Sequence, residues 1–161
     1  MKFKNKITEV LRDYLHFDLR QRLNSLENFA QDKFGKGLYI TRTISTFAEQ
    51  KRINDECLIK DPNYKVSFPS VHNYGNGADV SIYDDTGLKW PSKTIQEFAD
   101  WFNKQYPYNH GDIKSALFHM GTGLHLHLQL NMREFGKGFD QDDPERAKIL
   151  HELIQKYTVK K

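Results

Sequence analysis

One cysteine, Cys57, excludes an internal disulfide. Its neighbours favour a helix, which makes it a packing residue rather than a nucleophile. No hydrophobic run approaches the length of a membrane span. The first residues are basic, but Lys4 to Asp18 is broken by charges and lacks the apolar centre of a secretory signal. Charge of one sign is also scarce: 24 Lys and Arg against 21 Asp and Glu leave a net charge of +3. That excess suits an anionic polymer such as a cell wall or nucleic acid without choosing between them. The basic residues are scattered, which counts against a nucleic-acid-binding stripe. Internal repeats, low-complexity tracts and domain linkers are missing too. What the chain does have is apolar and aromatic material. Over 161 residues, 38% hydrophobic with eleven Phe and eight Tyr, it can build one core, and residues 1–161 read as a single domain.

Hydrophobic spacing orders the chain into elements. Phe3, Ile7, Val10, Leu11 and Tyr14, then Leu19, Leu23, Leu26 and Ala30, recur at helical intervals and predict one long or two consecutive helices ending at Gly35. Leu38 to Thr43 reads as a strand. Thr46-Phe-Ala-Glu49 has the form of a capping box and predicts a helix to about Leu58. Residues 60–78 form a long loop with Pro62 and Pro69, and a loop of that length is more often functional than idle. Val80 to Tyr83 reads as a strand and Asp84 to Gly87 as a turn. Ser92 caps a helix that Pro107 stops. Ile113 to His119 and Leu124 to Leu130 pair as a hairpin, and Asp143-Pro144 opens a last helix. The expected fold class is α+β, with helices around a small, mainly antiparallel sheet.

Two clusters carry chemistry. In Ser70-Val-His-Asn-Tyr-Gly-Asn-Gly-Ala-Asp79, a histidine and an aspartate stand seven residues apart. That is too far for one helical turn, so the chain must fold back to join His72 and Asp79. Gly75 and Gly77 permit such a bend through positive φ, and Asp79 is expected to open a strand. A turn with incidental polar residues is the plainer alternative. Further on, Leu124, Leu126, Leu128 and Leu130 alternate with His125, His127, Gln129 and Asn131, the pattern of a strand with one buried face. His-x-His on one strand face can serve one metal, though such pairs also arise by chance. Together the clusters supply three or four ligand candidates, and three protein ligands plus water is the arrangement of catalytic zinc.

These residues resemble a known family. Ser70 to Asp79 is similar to the Ser-x-His-x-x-Gly-x-Ala-x-Asp motif of the zinc D-alanyl-D-alanine carboxypeptidases and L-alanyl-D-glutamate endopeptidases, whose fold is named for hedgehog and DD-peptidase. Its phage-endolysin branch often carries His-Asn-Tyr-Gly, found here at 72–75. That branch also has Arg-Thr-Phe-Ala-Glu-Gln where this chain has Ser45-Thr-Phe-Ala-Glu-Gln50. His127-Leu-Gln129 looks like the family's third ligand and its surroundings. The resemblance spans residues 38–131. Gly77 stands at the motif's alanine position, Ser45 replaces an arginine that binds substrate in relatives, and Leu124 occupies the place of the usual catalytic Glu or Asp.

The resemblance implies a Zn2+ site of His72, Asp79 and His127 in a peptidase that cuts peptidoglycan stem peptides. By analogy with lysostaphin-type enzymes of the wider superfamily, His125 becomes the acid–base group. Arg42, Gln50 and Ser70 become substrate contacts, although Arg42 reads equally as a surface strand residue and Ser70 as a support for the loop. Asp112 is a reserve base; His119 reads as structural, and His16, His110 and His151 as surface residues. Such a protein is expected to be a monomer, cytoplasmic as synthesised and active on the wall after release, with no membrane span and no nucleic-acid partner. A non-catalytic, zinc-containing cell-wall binder of the same fold is the alternative. A metal-dependent nuclease or nucleic-acid-binding domain is the more distant one, and it predicts steeply salt-dependent DNA affinity.

Overall fold

The computed structural model describes residues 1–35, 37–66, 68–81, 97, 100–101, 103–104, 115–119, 125–130 and 140–157; for Phe34, Ser81, residues 115–119 and His125 the backbone alone is described. Asp112, His110, the turn after Ser81 and most of the Ser92 helix lie outside these residues. Among them the elements run β1 (Lys2–Phe3), α1 (Lys6–Arg12), α2 (Phe17–Phe34), β2 (Tyr39–Arg42), α3 (Phe47–Lys60), a 3-10 turn (Val71–Tyr74), β3 (Gly77–Ser81), β4 (Ser115–His119), β5 (His125–Leu130) and α4 (Pro144–Tyr157).

The chain is α+β, as expected, and the sheet is mixed. Its five strands lie in the order β1-β2-β3-β5-β4, with β1 parallel to β2 and the other pairs antiparallel. Phe3, assigned by its spacing to the first helix, is in β1. The Lys2 and Lys4 N–H groups donate to the carbonyls of Leu38 and Ile40, so this backbone is committed to the sheet before Asn5 caps α1. The helical run is indeed two helices. Between them His16 caps α2, its Nδ1 accepting the Asp18 N–H, and Gly35 ends α2 at φ 64°. His16 is 4% exposed, so it is not the surface residue its sequence context implied. Thr46 caps α3 through the Glu49 N–H, as the capping form predicts, and Pro144 opens α4.

Alternation along the strands divides the sheet into two faces. Ile40, Ala78, Val80, Leu126, Leu128 and Leu130 share one hydrophobic cluster with Leu19, Leu23, Leu26 and Ala30 of α2. Each large side chain so buried contributes roughly 1.5–3 kcal/mol by transfer from water. The core therefore belongs to one face of β2, β3 and β5, and the polar residues between those apolar positions are left to the other. That division fixes where a site can form. No helix among the described residues is long and apolar enough to cross a membrane.

Candidate metal centre

Asp79 lies inside β3 rather than at its opening, and it pairs directly with His127 of the antiparallel neighbour β5. Side chains directly opposed across such a pair have Cβ atoms about 4.5–5.5 Å apart. On the other side Asp79 pairs with Arg42, because β2 carries a bulge between Ile40 and Arg42. Without the extra residue Arg42 would share the core-facing side of Ile40. The bulge moves it to the polar face, a common use of such irregularities beside functional groups. Arg42, Asp79 and His127 thus form one row across three strands.

The third group comes from the 3-10 turn. Ser70 caps it: its hydroxyl accepts the His72 N–H, and its own N–H donates to Asn73 Oδ1 at 2.8 Å. Asn73 Nδ2 donates to the Ser45 carbonyl, and the Ser45 N–H to the His72 carbonyl, tying the turn to the segment after β2. Gly75 ends the turn at φ 73°, the left-handed conformation expected of it. Gly77, by contrast, is extended. Its glycine is needed for space: a Cβ there would lie 2.5 Å from Val71 Cγ2 and 3.4 Å from His127 Cε1.

These constraints bring His72, Asp79 and His127 together, with their candidate ligand atoms all within 4.8 Å of one another. Asp79 Oδ1 is 3.2 Å from His72 Nε2 and 2.7 Å from His127 Nδ1. Asp79 Oδ2 accepts the Arg42 Nε–H at 2.9 Å, so only Oδ1 faces the histidines. His72 Nδ1 stands 2.6 Å from the Thr43 carbonyl oxygen. A carbonyl can only accept, so the proton is on Nδ1, and Nε2 turns a lone pair toward the carboxylate. Among the described residues, Asp79 Oδ1 is the polar atom that fully buried Nε2 faces, and with its lone pair toward that oxygen it makes no hydrogen bond. A lone pair facing a carboxylate oxygen, sealed from water, is a poor arrangement unless something positive lies between them. Two imidazoles and one carboxylate oxygen are ordinary donors to a divalent cation, and the cluster could hold one.

Electrostatics keep the donors in the binding-competent form. Burial pushes His72 below the ordinary histidine value, assisted by the Arg42 and His127 charges and partly opposed by Asp79. Burial alone would raise the Asp79 carboxyl. The positive charge of His72 in its protonated form, a hydrogen bond from His127 and the Arg42 guanidinium outweigh it and hold the group well below the usual carboxylate range. His72 is neutral and Asp79 ionised, as metal ligands must be.

A cleft of about 1070 Å3 opens beside the cluster, and Arg42, Gln50, Ser70, Asp79, His127 and Gln129 are on its wall. Gln50 is 2% exposed; its Oε1 accepts from Arg42 Nη1 and its Nε2 donates to Asn54 Oδ1. The candidate substrate residues therefore line the same space as two of the candidate ligands. His125 begins β5 opposite Ser81, with its side chain outside the described residues, as is that of His119. Sequence reasoning gave no role to the Thr43 carbonyl, for which a backbone atom offers no signal, or to Gln129, whose signals were its place on the polar face and in the block that resembles the surroundings of the third ligand. No protein-family model matches the chain, and no curated protein matches its sequence.

Proposed function

We propose that this chain is a zinc metallopeptidase that hydrolyses peptide bonds in bacterial peptidoglycan stem peptides, as a D-Ala-D-Ala carboxypeptidase or an L-Ala-D-Glu endopeptidase. The observation that carries the reading is the convergence of His72 Nε2, Asp79 Oδ1 and His127 Nδ1 beside a cleft of peptide-binding size. These residues, up to 55 positions apart, were singled out by motif resemblance, and the fold supports that reading by joining them. They would hold the zinc. When bound, zinc supplies a Lewis acid that polarises a carbonyl and acidifies water.

The chain's own groups do the rest. Arg42 holds Asp79 to a single free oxygen and balances its charge. Its guanidinium also reaches Gln50, and together they border the cleft where substrate carbonyls and carboxylates would lie. Ser70 sets the turn that aims His72. His125 takes the acid–base role, moving a proton between the attacking water and the leaving amine. Ser45, at the family's arginine position, is 1% exposed.

Metal analysis of protein purified without added metal should give near one zinc per chain, largely lost in His72→Ala and His127→Ala. Undiminished metal in both variants would refute the site. His125→Ala should keep its zinc yet lose lysis of purified cell walls. The alternative, a cell-wall binder that does not cut, draws on one observation. Besides Asp79, the acidic side chain among the described residues of the cleft wall is Glu49, exposed on the first turn of α3. Mass spectrometry of treated muropeptides separates the two, since a binder generates no new amine.

A further inference from the structure

Gln129 stands two residues beyond His127 on the same face of β5, opposite Gly77. Its Oε1 is 3.1 Å from His127 Nε2, and the side chain is half-buried on the cleft wall. We infer that Gln129 is a positioning residue that sets which nitrogen of His127 is free to bind a cation. The inference rests on the metal centre of the proposed reading, though not on its peptidase activity.

The two histidines are held differently. His72 is locked, because the Thr43 carbonyl accepts and never donates. His127 faces an amide, which can do either. With the Gln129 oxygen toward the ring, Nε2–H donates to it and the Nδ1 lone pair faces Asp79 Oδ1, 2.7 Å away. Two electron-rich atoms at that distance call for a positive charge between them, a metal ion or a second proton on the ring. With the amide turned over, its NH2 donates to Nε2, and Nδ1–H donates to Asp79 instead. That form satisfies every group around His127 without a metal. Cation uptake then exchanges one form for the other: the Nδ1 proton leaves to water, water returns a proton to Nε2, and the amide rotates. Net charge on the ring is unchanged.

Glutamine suits both forms, glutamate only the metal-bound one, and methionine neither. Zinc affinity measured by competition with a chromophoric chelator should fall about 10–100-fold in Gln129→Met, the usual effect of removing a partner behind a metal-bound histidine. Gln129→Glu should bind at least as tightly as the unaltered protein. Nitrogen-15 spectra of the histidine rings read the exchange directly in the unaltered protein. His127 should carry its proton on Nδ1 without zinc and on Nε2 with it, while His72 keeps Nδ1–H throughout. Unchanged affinity in Gln129→Met, equal losses in the Met and Glu variants, or one His127 tautomer in both states would overturn the inference and leave the peptidase reading standing. Zinc-dependent tautomers in a protein that cuts no cell-wall peptide would overturn the peptidase reading alone. A protein that binds no zinc would end both.

Discussion

At the scale of residues, Asp79 is the group on which the others depend. Its two oxygens have separate partners, Arg42 on one and both histidines on the other. Replacing Arg42 with leucine strips Oδ2 of a charge-assisted bond worth roughly 1.5–3 kcal/mol. Chemical denaturation should register a loss of about that size, and a negligible change would mean that water replaces the guanidinium. His72 makes a second prediction, for the metal-free protein. Its folded-state value lies below 6.5, so as pH falls through 6.5 the unfolded chain takes up a proton that the native site resists. The stability it confers is present above that pH and lost below it. Urea midpoints in chelator at pH 7.5 and 5.5 should therefore differ more for the unaltered protein than for His72→Asn. Equal differences would show that the imidazole accepts its proton without penalty. Asp79, held below the usual range, acts in the same direction at more acidic pH, where its protonation would release Arg42.

At the scale of elements, the site is a consequence of register. Asp79 faces His127 because β3 and β5 pair at that residue, and a slip of one position would send both side chains into the core. The leucines of β5 prevent the slip, since Leu126, Leu128 and Leu130 are fully buried on the opposite face. Gly77→Ala tests how tightly the 3-10 turn sits on β3. A methyl 2.5 Å from a β-branched Val71 cannot be absorbed by a flexible chain end, so about 1–3 kcal/mol should be lost, with weaker metal binding. Full retention of both would mean that the turn moves freely. Much of this was legible in the sequence. The alternation at 124–131 announced a strand with its histidines on one face, and the glycines at 75 and 77 announced an unusual loop. What stayed hidden depended on partners distant in the chain. The need for glycine at 77 comes from Val71 crowding it, not from backbone dihedrals. The bulge that turns Arg42 toward Asp79 leaves no mark in Leu38 to Thr43, and Phe3 looked helical because two residues of strand are too short to show a period.

At the scale of the whole molecule, the cluster fastens together segments that are far apart in sequence. His72 comes from the loop after α3, Asp79 from the middle of the sheet, and His127 from β5, while Thr43 reaches in from the end of β2. Gln141, just before α4, donates to the carbonyls of both Ser45 and Asn73, so the last helix is anchored to the same turn. A cation held by the three ligands would bind the folded chain and not the unfolded one, since nothing else brings these groups within reach of each other. Stability should then rise with free zinc as RT ln(1 + [zinc]/Kd), about 2.7 kcal/mol at a hundredfold excess over Kd. Thermal midpoints of chelator-treated protein should climb with added zinc, rising with its logarithm once free zinc exceeds Kd, and fall back when chelator returns. His127→Ala should flatten the response while leaving the leucine face of β5 and its packing on α2 unchanged. A midpoint indifferent to zinc would mean that the buried Nε2 of His72 faces Asp79 for some reason other than a metal.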